Sequence, residues 1–99
     1  MRRLNISELC DLEVINLCGG EKLGYPCDFE IDIDDCKVIS LTVPVNCGFS
    51  LFEKREVYVI PWCKIECIGE DAILIRLNQS ELSGCKCSKK SKSKSRYFR

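Results

Sequence analysis

Apolar and acidic residues alternate regularly between Cys27 and Asp34, in the stretch CDFEIDID. One parity holds the apolar residues and the other holds the acids: Cys27, Phe29, Ile31 and Ile33 against Asp28, Glu30, Asp32 and Asp34. Because successive side chains of a β-strand point to opposite faces of its sheet, the alternation predicts a half-buried strand with an acidic outer face. The following residues, Asp34–Lys37, predict a hairpin turn.

Short apolar runs elsewhere in the chain predict further strands, and turn residues separate them. The other five predicted strands are Glu13–Leu17, Val38–Val43, Arg55–Ile60, Ile65–Ile68 and Ala72–Leu77. Val45–Lys54 is predicted to be a loop and Pro61–Lys64 a corner, while Ser7 is expected to cap a short turn. No long helical period interrupts this pattern. Six short strands therefore predict an all-β fold, either a small barrel or a sandwich.

The charges of the chain are segregated, although its formal net charge is zero. Residues 1–84 hold all 15 acids and 8 of the bases, whereas residues 85–99 hold no acid and 7 bases. From Ser83 onward, serine and lysine alternate and few residues are apolar, so this segment cannot bury enough surface to become ordered. The sequence predicts an acidic body followed by a disordered basic tail.

Cysteine is abundant in this chain of 99 residues, with nine copies, and histidine is absent. No signal-peptide pattern and no apolar run of membrane-spanning length precedes or interrupts the strands. We therefore expect a cytoplasmic, reduced protein in which most cysteines, including Cys27 and Cys67, pack as small hydrophobic residues. Without histidine, neither a Cys-His nor a Ser-His nucleophile can be built.

Two long stretches of the chain resemble the PRC-barrel domain: LEVINLCGGEKLGYPCDFEIDIDDCKVISLTVP and GFSLFEKREVYVIPWCKIECIGEDAILIRL. The resemblance covers roughly residues 4–77. Its most specific part is VIPWCKIECIGEDAILI, with an Ile-Pro-Trp corner and a Gly-Glu-Asp turn. Within that group the chain is most similar to the YlmC/YmxH family of sporulation-associated proteins.

The resemblance implies a compact, six-stranded antiparallel barrel over residues 1–80, with residues 81–99 as a basic Ser/Lys-rich tail. It also implies a protein with no established enzymatic activity and no cofactor. PRC-barrel domains elsewhere serve in protein assembly and in RNA processing. In so small a barrel, Trp62 is expected to fill the core rather than to bind a ligand.

The acidic strand does not fit a calcium loop or a catalytic pair. An EF-hand loop needs glycine at its sixth position and glutamate at its twelfth, and frames that start at Asp28 or Glu30 have neither. A catalytic pair needs one buried carboxylate with a raised pKa, whereas strand parity places these acids together on the outer face. We interpret them as a solvated surface that attracts basic partners and discourages sheets from pairing edge to edge.

Four cysteines are weak candidates for a thiolate metal site: Cys63, Cys67, Cys85 and Cys87. Their spacing is not that of the usual zinc knuckle, and two of them fall in the predicted tail. Cys85 and Cys87 lie beside Lys86 and Lys89, and nearby cations lower the pKa of a thiol. These two thiols are therefore predicted to be the reactive ones.

The basic tail is the main candidate binding element. It consists of Lys86, Lys89, Lys90, Lys92, Lys94, Arg96, Tyr97, Phe98 and Arg99. Its cations can neutralise phosphates of RNA or of an anionic membrane surface, and its two aromatic residues can stack on bases. The alternative is a tail that only keeps the protein soluble.

These observations predict a non-enzymatic binding or assembly module that contacts an unidentified protein, with homo-oligomerisation as one form of that contact. An RNA- or ribosome-associated factor that uses the basic tail is the alternative. A cysteine-thiolate metal-binding protein is a second alternative, of a different class.

Overall fold

A computed structural model describes residues 3–45 and 54–90, with side chains for residues 3–45 and 56–87. Two helices and eight strands follow one another, with a 3-10 turn at Trp62–Lys64. The helices are α1 (Ile6–Leu9) and α2 (Gln79–Cys85). The strands are β1 (Glu13–Asn16), β2 (Lys22–Gly24), β3 (Asp28–Asp32), β4 (Lys37–Pro44), β5 (Lys54–Pro61), β6 (Ile65–Ile68), β7 (Ala72–Ile75) and β8 (Lys86–Lys90).

The strands form two sheets of four strands each. Sheet A has the order β2-β1-β7-β6, and sheet B has the order β3-β4-β5-β8. The prediction of a mostly β fold is confirmed. The prediction of a six-stranded antiparallel barrel is wrong in two respects, because the described residues contain eight strands and β1 pairs with β7 in parallel. No ladder between described strands joins the two sheets into a closed barrel.

One apolar core lies between the sheets. Sheet A contributes Val14, Ile73 and Ile75 to it, and sheet B contributes Leu41, Val43 and Ile60, all almost fully buried. Because side chains alternate along each strand, each sheet can turn its apolar face inward. Trp62, which was predicted to fill the core, is only half-buried. It packs at the margin of the core, edge-on to Phe29 with the ring centroids 6.3 Å apart.

The chain after β7 is ordered further than the sequence predicts. Asn78 caps α2 because its side chain accepts a hydrogen bond from the Glu81 N–H at 2.8 Å, while the Glu81 carboxylate accepts one from the Asn78 N–H at 3.0 Å. Leu82 is then buried in the core. The prediction of disorder from Ser83 onward is wrong for residues 83–90, and the predicted boundary between residues 80 and 81 falls inside α2.

Hydrogen bonds to backbone explain why β8 forms despite its polar sequence. It adds to the edge of sheet B, with five residues in antiparallel register with β5. An edge strand needs a partner for its backbone more than it needs apolar side chains. The tail residues 91–99 and most of the predicted loop, residues 46–53, lie outside the described residues.

The hairpin β3–β4 departs from strict alternation. The register shifts between Glu30 and Ile31, so that Ile39 is an extra residue on β4. Beyond this bulge Ile31 is 50% exposed, and Ile33, in the turn, is 83% exposed. The predicted burial of these two residues is therefore wrong, because the end of the hairpin extends past the core. The turn is closed by Asp32, whose carboxylate accepts hydrogen bonds from the N–H groups of Asp34 and Asp35.

The N-terminal turn begins two residues earlier than predicted. Asn5, not Ser7, is the residue before α1, and the Glu8 carboxylate accepts a hydrogen bond from the Asn5 N–H at 2.6 Å. This four-residue helix is too short to be stable alone, and it is held by the buried Leu9.

Candidate interaction surface on the edges of sheet B

The two outer strands of sheet B carry opposite charges. β3 forms one edge of the sheet and β8 forms the other. We call Asp28, Glu30 and Asp32 on β3 the acidic edge, and Lys86, Lys89 and Lys90 on β8 the basic edge. An edge strand has backbone N–H and C=O groups without a partner strand on one side, so each edge offers both hydrogen bonds and charge.

The acidic edge is exposed, as the alternation predicts for Asp28 and Glu30, whereas Asp32 is half-buried. Asp28 accepts a hydrogen bond from the Phe29 N–H, and Glu30 accepts one from the Ser40 hydroxyl at 3.2 Å. The described side chains form three ion pairs, and none of these pairs involves the acids of β3. Their negative charge is therefore not neutralised by that part of the chain.

Three isoleucines beside the acidic edge are open to water. Ile31 lies on β3 between Glu30 and Asp32, Ile33 follows in the turn, and Ile39 lies on the neighbouring strand with 43% of its surface exposed. Large apolar residues that cluster on a surface often mark a contact with another protein. The acidic edge thus combines charge, backbone hydrogen-bonding groups and apolar surface.

β5 adds two positively charged residues beside the basic edge, which the sequence alone does not reveal. The register places Lys54 opposite Lys90 and Arg55 opposite Lys89. Like charges at directly opposed positions destabilise a strand pair. Farther along β8, Lys86 lies 3.8 Å from the Glu56 carboxylate, an exposed ion pair. Lys54 and Arg55 therefore lie next to the basic edge in the sheet, although they are far from β8 in sequence.

The four cysteines proposed as metal ligands do not converge. Cys63, Cys67 and Cys87 are exposed and Cys85 is half-buried. Within residues 3–45 and 54–90, no three cysteine, aspartate or glutamate side chains come close enough to share a metal ion. The predicted burial of Cys27 and Cys67 is also wrong, since both are exposed.

Cys85 lies beside an ion pair that joins the 3-10 turn to α2. Lys64 Nζ donates to Glu81 Oε2 at 2.9 Å. This hydrogen bond raises the pKa of Lys64 and, together with the bond from the Asn78 N–H, lowers the pKa of Glu81. Burial raises the pKa of the Cys85 thiol, and the Glu81 charge adds to this effect more than Lys64 opposes it. The prediction that Cys85 is activated by nearby cations is therefore wrong.

A shallow cleft of about 310 Å³ lies between α1 and the turn after β6. It is lined by Leu4, Glu8, Asp11, Leu12, Gly69 and Glu70. With three acids and no base among its lining residues, it extends the acidic character of the body.

Among the predicted binding residues of the tail, Lys86 is exposed, and Lys89 and Lys90 are described through their pairing with β5. Lys92, Lys94, Arg96, Tyr97, Phe98 and Arg99 lie outside the described residues, so their role stays a prediction. Neither helix in the described part of the chain is long and apolar enough to cross a membrane.

Comparison with known proteins gives a family for most of the chain. The sequence profile of the PRC-barrel domain matches residues 1–82. The "Probable sporulation protein YlmC" of Bacillus subtilis is 39% identical over 79 residues, which are 77% of this chain and 95% of that protein. An uncharacterized protein of Clostridium acetobutylicum is 37% identical over 72% of this chain and 82% of its own length. The uncharacterized YmxH of Bacillus subtilis is 30% identical over 73% of this chain and 87% of its own length.

Proposed function

Because this chain belongs to the PRC-barrel family, we propose that it is a non-catalytic assembly module that binds a protein partner through the acidic edge of sheet B. We further propose that it acts in the cytoplasm during sporulation. The printed name of its YlmC relative, a probable sporulation protein, supports that setting.

The observation that carries the proposal is the composition of β3. This strand lies at the edge of its sheet and carries three acids that form no ion pair with a described side chain. Exposed isoleucines lie beside it. A partner segment that adds to the edge as a further strand would gain backbone hydrogen bonds, and lysines or arginines on it would meet the acids. The chemistry fits an extended basic segment of a protein.

A labelled peptide of about four Lys-Val repeats is a suitable probe, because it is basic and its β-branched residues favour an extended strand. Its binding is measured by fluorescence anisotropy. Replacing Asp28 and Glu30 by lysine should weaken binding about ten-fold, which corresponds to about 1.4 kcal/mol.

A matched control reverses two acids elsewhere on the body. Glu70 and Asp71 are exposed and lie in the turn between β6 and β7 of sheet A, so Glu70→Lys with Asp71→Lys changes the net charge equally without touching β3. The proposal requires that this variant binds the peptide nearly as well as the unmodified protein. Equal weakening in both variants would mean that only the overall charge attracts the peptide.

A second candidate function is binding of a polyanion such as RNA by the basic edge and the tail. The opposed cations of β5 and β8 favour it, because Lys54 faces Lys90 and Arg55 faces Lys89 in the register. Phosphates placed between such cations would relieve their mutual repulsion and release counterions. This function uses the opposite edge of the sheet from the first.

The polyanion function is tested by salt titration of binding to a generic single-stranded RNA and to anionic vesicles. A chain stopped at Ser83 would lose β8 and the end of α2 as well as the tail, so the tail is removed by stopping the chain after Lys90. Lys89→Gln with Lys90→Gln then tests β8 separately. Binding that neither change weakens, or that does not fall with salt, would contradict this function.

A further inference from the structure

We propose that the segment bound by the acidic edge is the basic edge of a second copy of this chain, so that copies join head to tail through β3 of one and β8 of the next. This inference rests on the proposed function, because it names the partner of the same edge. The two surfaces are the outer strands of one sheet, so a contact between them continues sheet B from one molecule into the next.

Charge favours the contact of β3 with β8 over a contact between two β3 strands or between two β8 strands. Two acidic edges would bring Asp28 and Glu30 of each copy against like charges, and two basic edges would oppose Lys86, Lys89 and Lys90. Opposite charges in neighbouring strands stabilise their pairing, and like charges destabilise it. Only the contact of β3 with β8 is therefore favourable, and the same acids that prevent symmetric pairing give the contact its direction.

β5 places two further cations beside the basic edge. Lys89 and Lys90 lie opposite Arg55 and Lys54 in the register, and Lys86 lies 3.8 Å from the Glu56 carboxylate. A second copy whose β3 adds beside β8 would bring Asp28 and Glu30 next to the lysines on their face of the sheet, because alternate residues of β8 point to opposite faces. The exposed Ile31 and Ile33 beside β3 would lose water in the same contact.

The basic edge lies outside the stretch that the family profile matches. The profile covers residues 1–82, whereas β8 spans Lys86–Lys90. A contact between different surfaces does not close on itself in a pair of molecules, so it produces rings or open filaments.

Self-association of the full chain is measured by sedimentation velocity over a concentration series, in low salt and at about 0.5 M salt, where charges are screened beyond a few ångströms. We expect species larger than a dimer that grow with concentration and dissociate at high salt. A chain that stays monomeric at about 100 μM in low salt, or that forms only a salt-resistant dimer, would overturn the inference.

Two charge reversals test the direction of the contact. Asp28→Lys with Glu30→Lys makes both edges basic, and Lys89→Glu with Lys90→Glu makes both edges acidic. Each variant alone should associate at least about ten-fold more weakly than the unmodified chain, which corresponds to about 1.4 kcal/mol. Lys89→Glu with Lys90→Glu places acids opposite Arg55 and Lys54, which favours the pairing of β8 with β5. If this variant associates more weakly, the loss therefore cannot be explained by detachment of β8.

Mixing the two variants gives the decisive result. Each interface in the mixture again joins an acidic strand to a basic one, so the two variants should co-assemble in equal amounts. In a separate control, Glu70→Lys with Asp71→Lys should leave the self-association of the chain unchanged. A mixture that stays monomeric would overturn the inference. If the Lys-Val peptide still binds to β3 while copies do not assemble, the proposed function stands and only the identity of the partner is wrong.

Discussion

Asn16 and Leu77 are joined by two reciprocal hydrogen bonds, although 61 residues separate them in the sequence. The Asn16 amide donates to the Leu77 carbonyl at 2.9 Å, and the Leu77 N–H donates to the Asn16 side-chain oxygen at 3.0 Å. Asn16 ends β1 and is 1% exposed. Its side chain thus continues the parallel pairing of β1 with β7 by one further step, toward the start of α2.

The first prediction concerns Asn16→Leu, which keeps the branched shape of the side chain but removes both hydrogen bonds with Leu77, together with those that the Asn16 side chain makes with Glu21 and the Cys18 N–H. The N–H and C=O groups of the buried Leu77 would lose their partners, and each unsatisfied buried group costs about 1–3 kcal/mol. We expect the free energy of unfolding to fall by about 3 kcal/mol in urea denaturation.

The control for Asn16 is Gln79→Ala, which removes only an exposed hydrogen bond to Glu21. Its effect should stay within about 0.5 kcal/mol, as for most surface substitutions. If Asn16→Leu also changed stability by no more than this, the reciprocal pair would not stabilise the junction between β7 and α2.

The second prediction concerns the ion pair of Lys64 with Glu81. The pKa of Glu81 is lowered in the folded protein, first by the hydrogen bond from Lys64. A carboxylate with a lowered pKa stabilises the fold above its unfolded pKa, and that contribution disappears as the pH falls through the folded pKa. Glu81→Gln should therefore be less stable than the unmodified protein at pH 7. The difference should shrink as the pH falls below the ordinary pKa of glutamate, about 4, and vanish once the pH is below the lowered pKa of the folded protein.

The measurement for Glu81 is thermal unfolding as a function of pH, with Glu66→Gln as the control. Glu66 pairs with Arg76 at 3.2 Å, but both side chains are about half exposed. Such a surface pair contributes little, so its removal should give a smaller change. A Glu81→Gln difference that persisted in acid would show that the residue stabilises α2 without its charge.

The third prediction concerns thiol reactivity. Burial raises the pKa of Cys85, whereas Cys87 is exposed. The thiolate is the species that reacts with iodoacetamide, so Cys85 should be alkylated more slowly than Cys87 in the folded protein near neutral pH. Mass spectrometry of digested samples, taken over time, measures both rates. In urea the two rates should converge, and a difference that survived unfolding would have to come from local sequence.

The sequence pattern predicts the parts of the fold that depend on local alternation and turns. β4, β6, β7 and most of β1 and β5 coincide with apolar runs that it identifies. It misses β2 and β8, because a three-residue strand has too few positions to show a period and a lysine-rich strand has no apolar face. Both are edge strands, and their backbone partners are set by tertiary structure rather than by propensity.

The candidate surface is predictable only in part, for a related reason. The acids of β3 are visible as one parity of a strand, and the lysines of β8 as a basic run. That the two strands form opposite edges of one sheet follows from pairings between distant segments, which a single sequence does not contain. The exposure of Ile31 and Ile33 accompanies a bulge at Ile39, for which no residue in the pattern gives a signal.

The last prediction concerns the stability that β8 adds to the domain. A chain stopped after Ser83 loses β8 and the end of α2, including Cys85, which packs against the core. It should be less stable than a chain stopped after Lys90 by about 1 kcal/mol or more, since each intramolecular hydrogen bond contributes about that much net.

In the longer chain, Lys89→Glu should raise stability by a few tenths to about 1 kcal/mol, because an acid then faces Arg55. Urea denaturation of the three proteins measures both effects. Equal midpoints for the two truncated chains would mean that β8 does not contribute to the fold, and the basic edge proposed above would then lack its support.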